Sequence, residues 1–266
     1  MWRPAQSPRT PRAFRCRCGR PVFFRNSVCL ACGTPLGYVP ERLVLLPLEA
    51  EDGAWKVSGE PDGLRYRNCG NLERAGCNWL LASDEPATLC VACRLNRTIP
   101  DLTIEENRVA WRKIEGAKRR LVSQLLALGL PVASRVPGAG GEDLARGMLF
   151  DFVRSLPGHH VLTGHADGVI TVNIAEADDA VREGNRALLR EPYRTLLGHL
   201  RHEVGHYYWD RLVAGSDWYE PFRRTFGDEQ ADYAAALQRN YEQGPPPDWS
   251  QRCVSAYAST HPWEDW

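Results

Sequence analysis

The chain contains the five residues His202-Glu203-Val204-Gly205-His206, which match the pattern H-E-x-x-H. On a helix, positions four apart lie one turn apart on the same face, so His202 and His206 can bind one metal ion together. Glu203 projects beside them, where it can take a proton from water. Because zinc lowers the pKa of a bound water towards neutrality, the pattern predicts zinc-dependent hydrolysis with Glu203 as the general base.

The motif needs a helix, and its surroundings predict one. Pro192 suits the first turn of a helix, and apolar residues then recur at helical spacing. These apolar residues are Leu196, Leu197, Leu200 and Val204. Gly205 is a poor helix former, so its place inside the helix indicates close packing against another segment. The alternative is a surface helix that carries two histidines by accident.

Eight of the nine cysteines form two groups in the first hundred residues. The first group, with two short pairs that are each followed by glycine, predicts the two knuckles of a zinc ribbon. It consists of Cys16, Cys18, Cys29 and Cys32. The second group consists of Cys69, Cys77, Cys90 and Cys93. Its last pair has knuckle spacing and its first two members could join that pair across a hairpin, whereas the alternative is one or two buried thiols. Cys253 is expected in the core.

Composition describes an ordinary globular chain, with 33 basic and 33 acidic residues among 266. There is no apolar run of membrane-spanning length and no apolar core of a signal peptide, so we expect a cytoplasmic protein that does not bind membranes. In that compartment cysteines bind metal rather than form disulfides. Residues 1–42 carry eight arginines against one acid. This basic end could contact nucleic acid, although a solubilising tail is the favoured interpretation.

The residue pattern changes near residue 100, which predicts two regions. Residues 1–100 have short apolar segments and many glycines and prolines, as in modules that depend on metal to fold. Residues 101–266 contain a predicted helix over 107–130 that Gly129 and Pro131 end, and a second predicted helix over 142–155. The basic run Lys118-Arg119-Arg120 is expected on a solvated face. A hairpin with an Asp-Gly turn is predicted over 160–174; its edge could bind a peptide, but a plain pair of strands fits equally well.

A catalytic zinc usually has a third protein ligand and keeps one position for water. The favoured candidate is Glu264, within His261-Pro262-Trp263-Glu264-Asp265-Trp266, and His261 is the alternative. A carboxylate on a helix that starts with proline resembles the third ligand of gluzincins, the thermolysin-like metallopeptidases. The metzincin spacing H-E-x-x-H-x-x-G-x-x-H is absent, because Trp209 stands at the glycine position.

Together these motifs resemble the bacterial zinc-binding metallopeptidases that carry an N-terminal zinc ribbon. The resemblance covers nearly the whole chain and rests on the first cysteine group and on residues 77–80, 93–100, 117–121, 191–210, 226–229, 254–257 and 261–266. It implies an α+β fold, with a zinc-ribbon region over residues 1–100. A mainly helical, zincin-like metallopeptidase domain with a small β-sheet would follow over residues 101–266. Members of the family continue past the position of Trp266, so we expect a C-terminally truncated chain.

The leading hypothesis is a zinc-dependent metallopeptidase that hydrolyses peptide bonds in a peptide or protein substrate. His202, His206 and Glu264 would bind the catalytic zinc, and one or two structural zinc ions would occupy the cysteine groups. Tyr257 would donate a hydrogen bond to the oxyanion, although core packing explains this residue equally well. The alternative is a zinc-ribbon module that binds nucleic acid or protein, with an inactive or structural metal helix. A combined version resembles SprT-like proteases, which act on DNA-bound proteins.

Overall fold

The computed structural model describes residues 13–60, 63–189 and 195–266. The chain divides into two compact units, Met1–Arg154 and Ser155–Trp266. Both contain helices and strands, so the mixed α+β composition expected from the sequence is present. The domain boundary expected at residue 100 stays a prediction, since units defined by compactness and domains defined by sequence need not coincide. Among the helices of the described ranges, none combines the length and the apolar character that a membrane span requires.

The first unit begins with antiparallel strands. β1 (Ala13–Arg15) pairs with β2 (Pro21–Phe23). A five-stranded meander follows, formed in spatial order by β3 (Leu36–Val39), β4 (Val44–Glu51), β5 (Ala54–Val57), β6 (Tyr66–Asn68) and β7 (Leu80–Ala82). Successive side chains of a strand point to opposite faces, so apolar residues of several strands can meet on one side. The resulting core consists of Val39, Leu48, Val57, Tyr66 and Leu80.

The described part of the first unit contains one α-helix within this meander and one after it. The short α1 (Leu72–Ala75) lies between β6 and β7, and the long α2 (Glu105–Ala127) confirms the helix predicted over 107–130. Gly129 ends α2 as predicted, with a φ of +70° that favours glycine. β8 (Asn96–Thr98) pairs in parallel with β9 (Leu149–Val153). The helix predicted over 142–155 is therefore wrong, because β9 is buried along successive residues, as strands of parallel pairs are.

The basic run of α2 does not lie on a solvated face. Lys118 is 0% and Arg119 is 5% exposed. The ammonium group of Lys118 lies 2.7 Å from the carboxylate of Glu115, which is equally buried. It also lies over the rings of Phe150 and Phe152. The expectation was wrong because charge type alone does not show whether a buried partner replaces the water around a cation.

The second unit opens with a hairpin and continues with helices. β10 (Gly164–Ala166) and β11 (Val169–Asn173) are joined by Asp167 and Gly168, whose φ values of +46° and +75° suit a type I′ turn. The predicted hairpin is thus confirmed. After the 3-10 turn Ile174–Ala177, the helices are α3 (Asp179–Leu189), α4 (Leu196–Leu212), α5 (Tyr219–Phe226), α6 (Tyr233–Gln243), α7 (Trp249–Arg252) and α8 (Pro262–Asp265).

Aromatic rings pack α5 and α8 against α4. The ring of Trp209 lies edge-on to Phe222 at 5.5 Å and to Trp263 at 4.7 Å between ring centroids. Such edge-to-face pairs stabilise beyond their buried area. The helix α5 therefore packs on α4, the helix that carries the H-E-x-x-H residues. Cys253 is only partly buried, so its expected place in the core is wrong.

We predict that Lys118→Met lowers the free energy of unfolding by about 3–5 kcal/mol, because it leaves the Glu115 carboxylate buried without its closest cation. Chemical denaturation of the zinc-loaded protein measures this change. Lys113→Met is the matched control, since it makes the same substitution at an exposed position of the same helix. We expect the control to change stability by no more than about 0.5 kcal/mol. Equal losses in both variants would contradict the role of the buried ion pair.

Candidate functional site

The structure brings the four cysteines of the first group together around β1, β2 and β3. All four sulfur atoms lie within 4.8 Å of one another. The Sγ atoms of Cys16 and Cys32 lie 3.6 Å apart, and those of Cys18 and Cys29 lie 3.8 Å apart. None of the four cysteines forms a disulfide. A tetrahedron with zinc–sulfur bonds of about 2.3 Å has sulfur–sulfur edges of about 3.8 Å. The group therefore has the size of a four-thiolate zinc site.

The second group also converges, although its first two cysteines lack knuckle spacing. Cys69 directly follows β6 and Cys77 lies shortly before β7, so this pair of neighbouring strands carries both towards the pair at 90 and 93. The Sγ atom of Cys77 lies 3.7 Å from the Sγ atoms of Cys90 and Cys93. These edges again fit zinc. The hairpin hypothesis from the sequence describes this arrangement.

The two cysteine groups differ in their access to solvent. In the first group Cys18 and Cys32 are exposed, whereas every cysteine of the second group is at most 1% exposed. A hydrogen bond with the Thr34 hydroxyl, 3.1 Å away, lowers the pKa of Cys32 to about 6. Cys32 is therefore largely thiolate at neutral pH, which is the form that binds metal and that reacts with electrophiles.

The helix α4 presents the H-E-x-x-H residues. Thr195 caps its first turn by accepting a hydrogen bond from the Gly198 backbone N–H at 2.9 Å. Pro192, which the sequence analysis assigned to the first turn, lies outside the described residues. The Nε2 atoms of His202 and His206 are 3.1 Å apart. This spacing suits a tetrahedron with metal–nitrogen bonds of about 2.0 Å, whose edges measure about 3.3 Å.

Glu264 joins the two histidines from α8. Its Oε2 atom lies 3.0 Å from His202 Nε2, and the three donor atoms lie within 4.8 Å of one another. In spite of this short distance, Glu264 Oε2 accepts no hydrogen bond of good geometry from the described residues, and it is buried. An unsatisfied buried carboxylate oxygen that faces two imidazole nitrogens is what a bound cation would satisfy.

Two of the three residues already have the protonation state that a metal needs, since the ring of His206 is neutral and Glu264 is ionised, whereas His202 would lose a proton on binding. Burial lowers the pKa of His206 to about 4, and the neighbouring His202 lowers it further, so the ring of His206 is neutral at physiological pH. Burial opposes the charge on His202 as well, but the Glu264 carboxylate outweighs it and raises the pKa of His202. Burial alone would raise the pKa of Glu264, but the His202 ring outweighs this effect and lowers it. Imidazole and carboxylate are donors that zinc binds, so the three residues fit a zinc ion.

Both ring nitrogens of His261, the alternative third ligand, form hydrogen bonds with backbone groups instead. Its Nδ1 atom accepts a hydrogen bond from the Trp263 N–H at 3.1 Å, which caps α8. That fixes the tautomer, so Nε2 carries the proton and donates to the Ala231 carbonyl at 3.0 Å. The ring of His261 therefore has no lone pair left for a metal. Only Glu264 of the two candidates lies with His202 and His206.

Two residues that the sequence analysis did not select hold α8 in place. The Trp266 indole N–H donates to the Gly205 carbonyl at 2.9 Å, and the Tyr233 hydroxyl donates to Glu264 Oε1 at 2.8 Å. A Cβ atom at Gly205 would meet no atom within 4 Å. The close packing expected at Gly205 is therefore wrong. Tyr233 has no local sequence signal, because it lies 31 residues from Glu264.

Glu203 contacts His199, which in turn contacts Glu176, and the sequence did not indicate either contact. Its Oε1 atom lies 3.1 Å from His199 Nε2, and His199 Nδ1 lies 2.6 Å from Glu176 Oε2. His199 precedes Glu203 by four positions, so helical spacing could have identified it. No spacing rule connects either residue with Glu176, which lies in the turn after β11.

A single cleft of about 1140 Å³ contains all these groups. The cleft is lined by the cluster of His202, His206 and Glu264 and also by Glu203, Tyr257 and His165 of β10. His165 stays outside the cluster, with its ring centroid 6.4 Å from that of His206 and its Nε2 bound to the Gly168 N–H. Six of the nine exposed large apolar side chains in the described part of the second unit line this cleft: Leu162, Val181, Tyr233, Tyr241, Val254 and Trp266.

Comparison with known sequences gives two family matches. Residues 107–266 match the family described as "Putative zinc-binding metallo-peptidase", and residues 13–104 match a zinc-ribbon domain. Three relatives, one from Mycobacterium bovis and two from strains of Mycobacterium tuberculosis, are each 43% identical over 257 residues. The alignment covers 96% of this chain and 70% of each relative, and all three are named as uncharacterised proteins. No solved structure matches the chain significantly.

These matches define a zinc-binding protein with an N-terminal zinc ribbon. The chain belongs to the zinc-binding metallopeptidase family named above. The resemblance seen in the motifs is thereby confirmed at the level of the family.

We predict that the two cysteine groups release zinc at different rates. The exposed thiols of Cys18 and Cys32 give a chelator and an alkylating reagent access to the first site, whereas the second site is closed. Treatment with a chelator and N-ethylmaleimide, followed by peptide mass spectrometry, measures the order of modification. We expect the first group to be alkylated before any member of the second. Simultaneous modification, or the reverse order, would show that exposure does not control zinc release.

Proposed function

We propose that this protein is a zinc-dependent peptidase whose catalytic metal is bound by His202, His206 and Glu264. The observation that carries the proposal is the convergence of two imidazole nitrogens and one carboxylate oxygen, with neighbouring atoms 3.0–3.1 Å apart, in a cleft. Two ligands on one helix and a carboxylate on a later one form a gluzincin-like set within a mainly helical, zincin-like domain. The cysteine groups serve as structural zinc sites, and their thiols suit the reducing cytoplasm.

Each residue of the cleft has a separate role in the proposed hydrolysis. Zinc bound there would supply a Lewis acid that acidifies water and polarises a peptide carbonyl. Glu203 lies one position from His202 and lines the same cleft. It takes the proton from the attacking water and delivers it to the leaving amine. Tyr257 lines the cleft and donates a hydrogen bond to the developing oxyanion.

The substrate in this proposal is an extended peptide with large apolar side chains. Among the described strands, β10 pairs with β11 alone, so its other edge has backbone groups free to bind a peptide. Gly164 and His165 of β10 line the cleft. The apolar side chains that line the same cleft would be covered by an apolar substrate, which removes their surface from water.

The alternative function, a nucleic-acid-binding module, draws less support from the structure. It rests on the arginines of residues 1–42, of which Arg3, Arg9 and Arg12 lie outside the described residues. Arg42 makes two hydrogen bonds of 2.9 Å to the Glu60 carboxylate. An arginine that is paired with an acid in this way contributes little net charge towards phosphate.

We predict that Glu203→Gln lowers peptide hydrolysis at least about 100-fold, because an amide cannot accept the proton. The zinc content should stay the same, whereas His206→Ala should lose one of the three zinc ions for which the structure provides ligands. Elemental analysis and turnover of a fluorogenic peptide library measure both effects. His160→Ala is the control, because His160 is exposed and lies outside the cleft lining. Full turnover in Glu203→Gln would refute the assignment.

We predict a preference of about tenfold or more in kcat/KM for peptides with large apolar residues over acidic ones. Cleavage of a peptide mixture, followed by mass spectrometry, measures it. Leu162→Asn should weaken the preference, because Leu162 lines the cleft. Leu156→Asn is the matched control, since Leu156 is an exposed leucine of the same unit outside the cleft lining. Equal effects of the two substitutions would refute an apolar subsite in this cleft.

A further inference from the structure

A line of three side chains runs from Glu176 through His199 to Glu203, and we call it the carboxylate–histidine line. The two contacts of His199 measure 2.6 Å to Glu176 and 3.1 Å to Glu203. Glu176 is 6% and Glu203 is 5% exposed. Glu176 belongs to the turn Ile174–Ala177, whereas the other two residues lie one turn apart on α4. The line thus connects the hairpin side of the second unit with the H-E-x-x-H motif.

The chemistry of this line depends on where the protons are. Both ring nitrogens of His199 face carboxylates, and both can donate only when the ring is protonated. Burial alone would lower the pKa of His199, but the hydrogen bonds to Glu176 and Glu203 raise it to about 9. Hydrogen bonds between a charged ring and a carboxylate are roughly twice as strong as neutral ones. His199 therefore holds one oxygen of Glu203 firmly.

Glutamate side chains have three rotatable bonds, so an unanchored Glu203 would sample many orientations. A displacement of about 1 Å between a base and its proton can slow a reaction about 100-fold. A hydrogen bond to Oε1 removes much of this freedom and leaves the other oxygen to accept a proton. Glu176 fixes the orientation of the ring that donates this bond.

We propose that His199 is a positioning residue for Glu203 and that Glu176 orients His199. The inference rests on the proposed function, because it assumes that Glu203 acts as the general base. His199 contributes through Glu203 and not as a ligand, since it lies outside the cluster of His202, His206 and Glu264. A residue that only linked α4 to the turn before α3 would affect stability without changing kcat selectively.

The first experiment compares His199→Ala, His199→Gln and Glu176→Gln in the zinc-loaded full chain. We expect His199→Ala to lower kcat about 10- to 100-fold, with KM changed less than about twofold and zinc content unchanged. His199→Gln should recover part of kcat, because its amide N–H can replace the Nε2 donor. Glu176→Gln should lower kcat less than His199→Ala. The control His160→Ala should leave both constants unchanged.

Wild-type kcat in His199→Ala would overturn the proposal, and so would a His199→Gln variant that is no more active than His199→Ala. If His199→Ala does not fold, His199→Gln and Glu176→Gln decide the question. In that case, kcat below the wild-type value at unchanged KM supports the proposal, and wild-type kcat in both variants overturns it.

A second measurement does not depend on activity and separates this inference from the proposed function. Long-range ¹H–¹⁵N spectra of the protein with ¹⁵N-labelled histidine show which ring nitrogens carry protons. We expect two protonated nitrogens on His199 at pH 7, with Glu203→Gln shifting the Nε2 signal and Glu176→Gln the Nδ1 signal. No peptidase activity with these shifts present would refute the proposed function alone. A His199 ring that does not respond to Glu203→Gln would refute the carboxylate–histidine line.

Discussion

The second unit depends on one electrostatic constraint, the convergence of His202, His206 and the buried Glu264 carboxylate on the wall of the cleft. A carboxylate taken out of water is stable only when a cation or several donors replace the solvent. Here the surrounding structure is arranged so that Glu264 approaches the histidines in spite of this cost. Trp263 packs on Trp209, the Trp266 indole donates to the Gly205 carbonyl, and the Tyr233 hydroxyl occupies the other oxygen of Glu264. These contacts hold α8 against α4, and a divalent cation would offset the remaining charge.

The same principle explains the burial of basic residues beside the second cysteine group. Four thiolates around one Zn²⁺ carry a net charge of about −2, so a buried site of this kind gains from nearby cations. Arg119 donates to the carbonyls of Ala75 and Gly76, directly before Cys77, at 3.2 Å. Burial opposes its charge, but Cys77 and Glu115 outweigh it and raise the pKa of Arg119. Arg119 is thus buried beside the second cysteine group, where its charge offsets part of the thiolate charge, and Glu115 pairs with both Lys118 and Arg119.

Features set by short spacings could be predicted from the sequence, and features set by distant partners could not. The knuckle pairs, the Asp-Gly hairpin and the end of α2 at Gly129 depend on a few adjacent residues. The H-E-x-x-H spacing likewise places two histidines on one helical face. The prediction of a helix over 142–155 was wrong because β9, a strand in a parallel pair, is buried on both faces and lacks the alternation that indicates a strand. The choice between Glu264 and His261 could not be made locally, since it depends on the Ala231 carbonyl that occupies His261.

The site contains two carboxylates, and their different partners explain how one chain can use them for different tasks. Glu264 faces His202 with an oxygen that has no hydrogen-bond donor among the described residues, so that oxygen is available to a cation. Glu203 faces His199, a ring held between two acids and outside the metal cluster. A carboxylate whose partner is itself anchored keeps its orientation while it accepts and releases a proton. Because His199 and Glu203 are one helical turn apart, the same α4 geometry that pairs His202 with His206 also pairs Glu203 with His199. In the proposed mechanism, a single helix therefore sets both the metal-binding face and the position of the general base, and the turn at Glu176 holds the His199 ring from its other side.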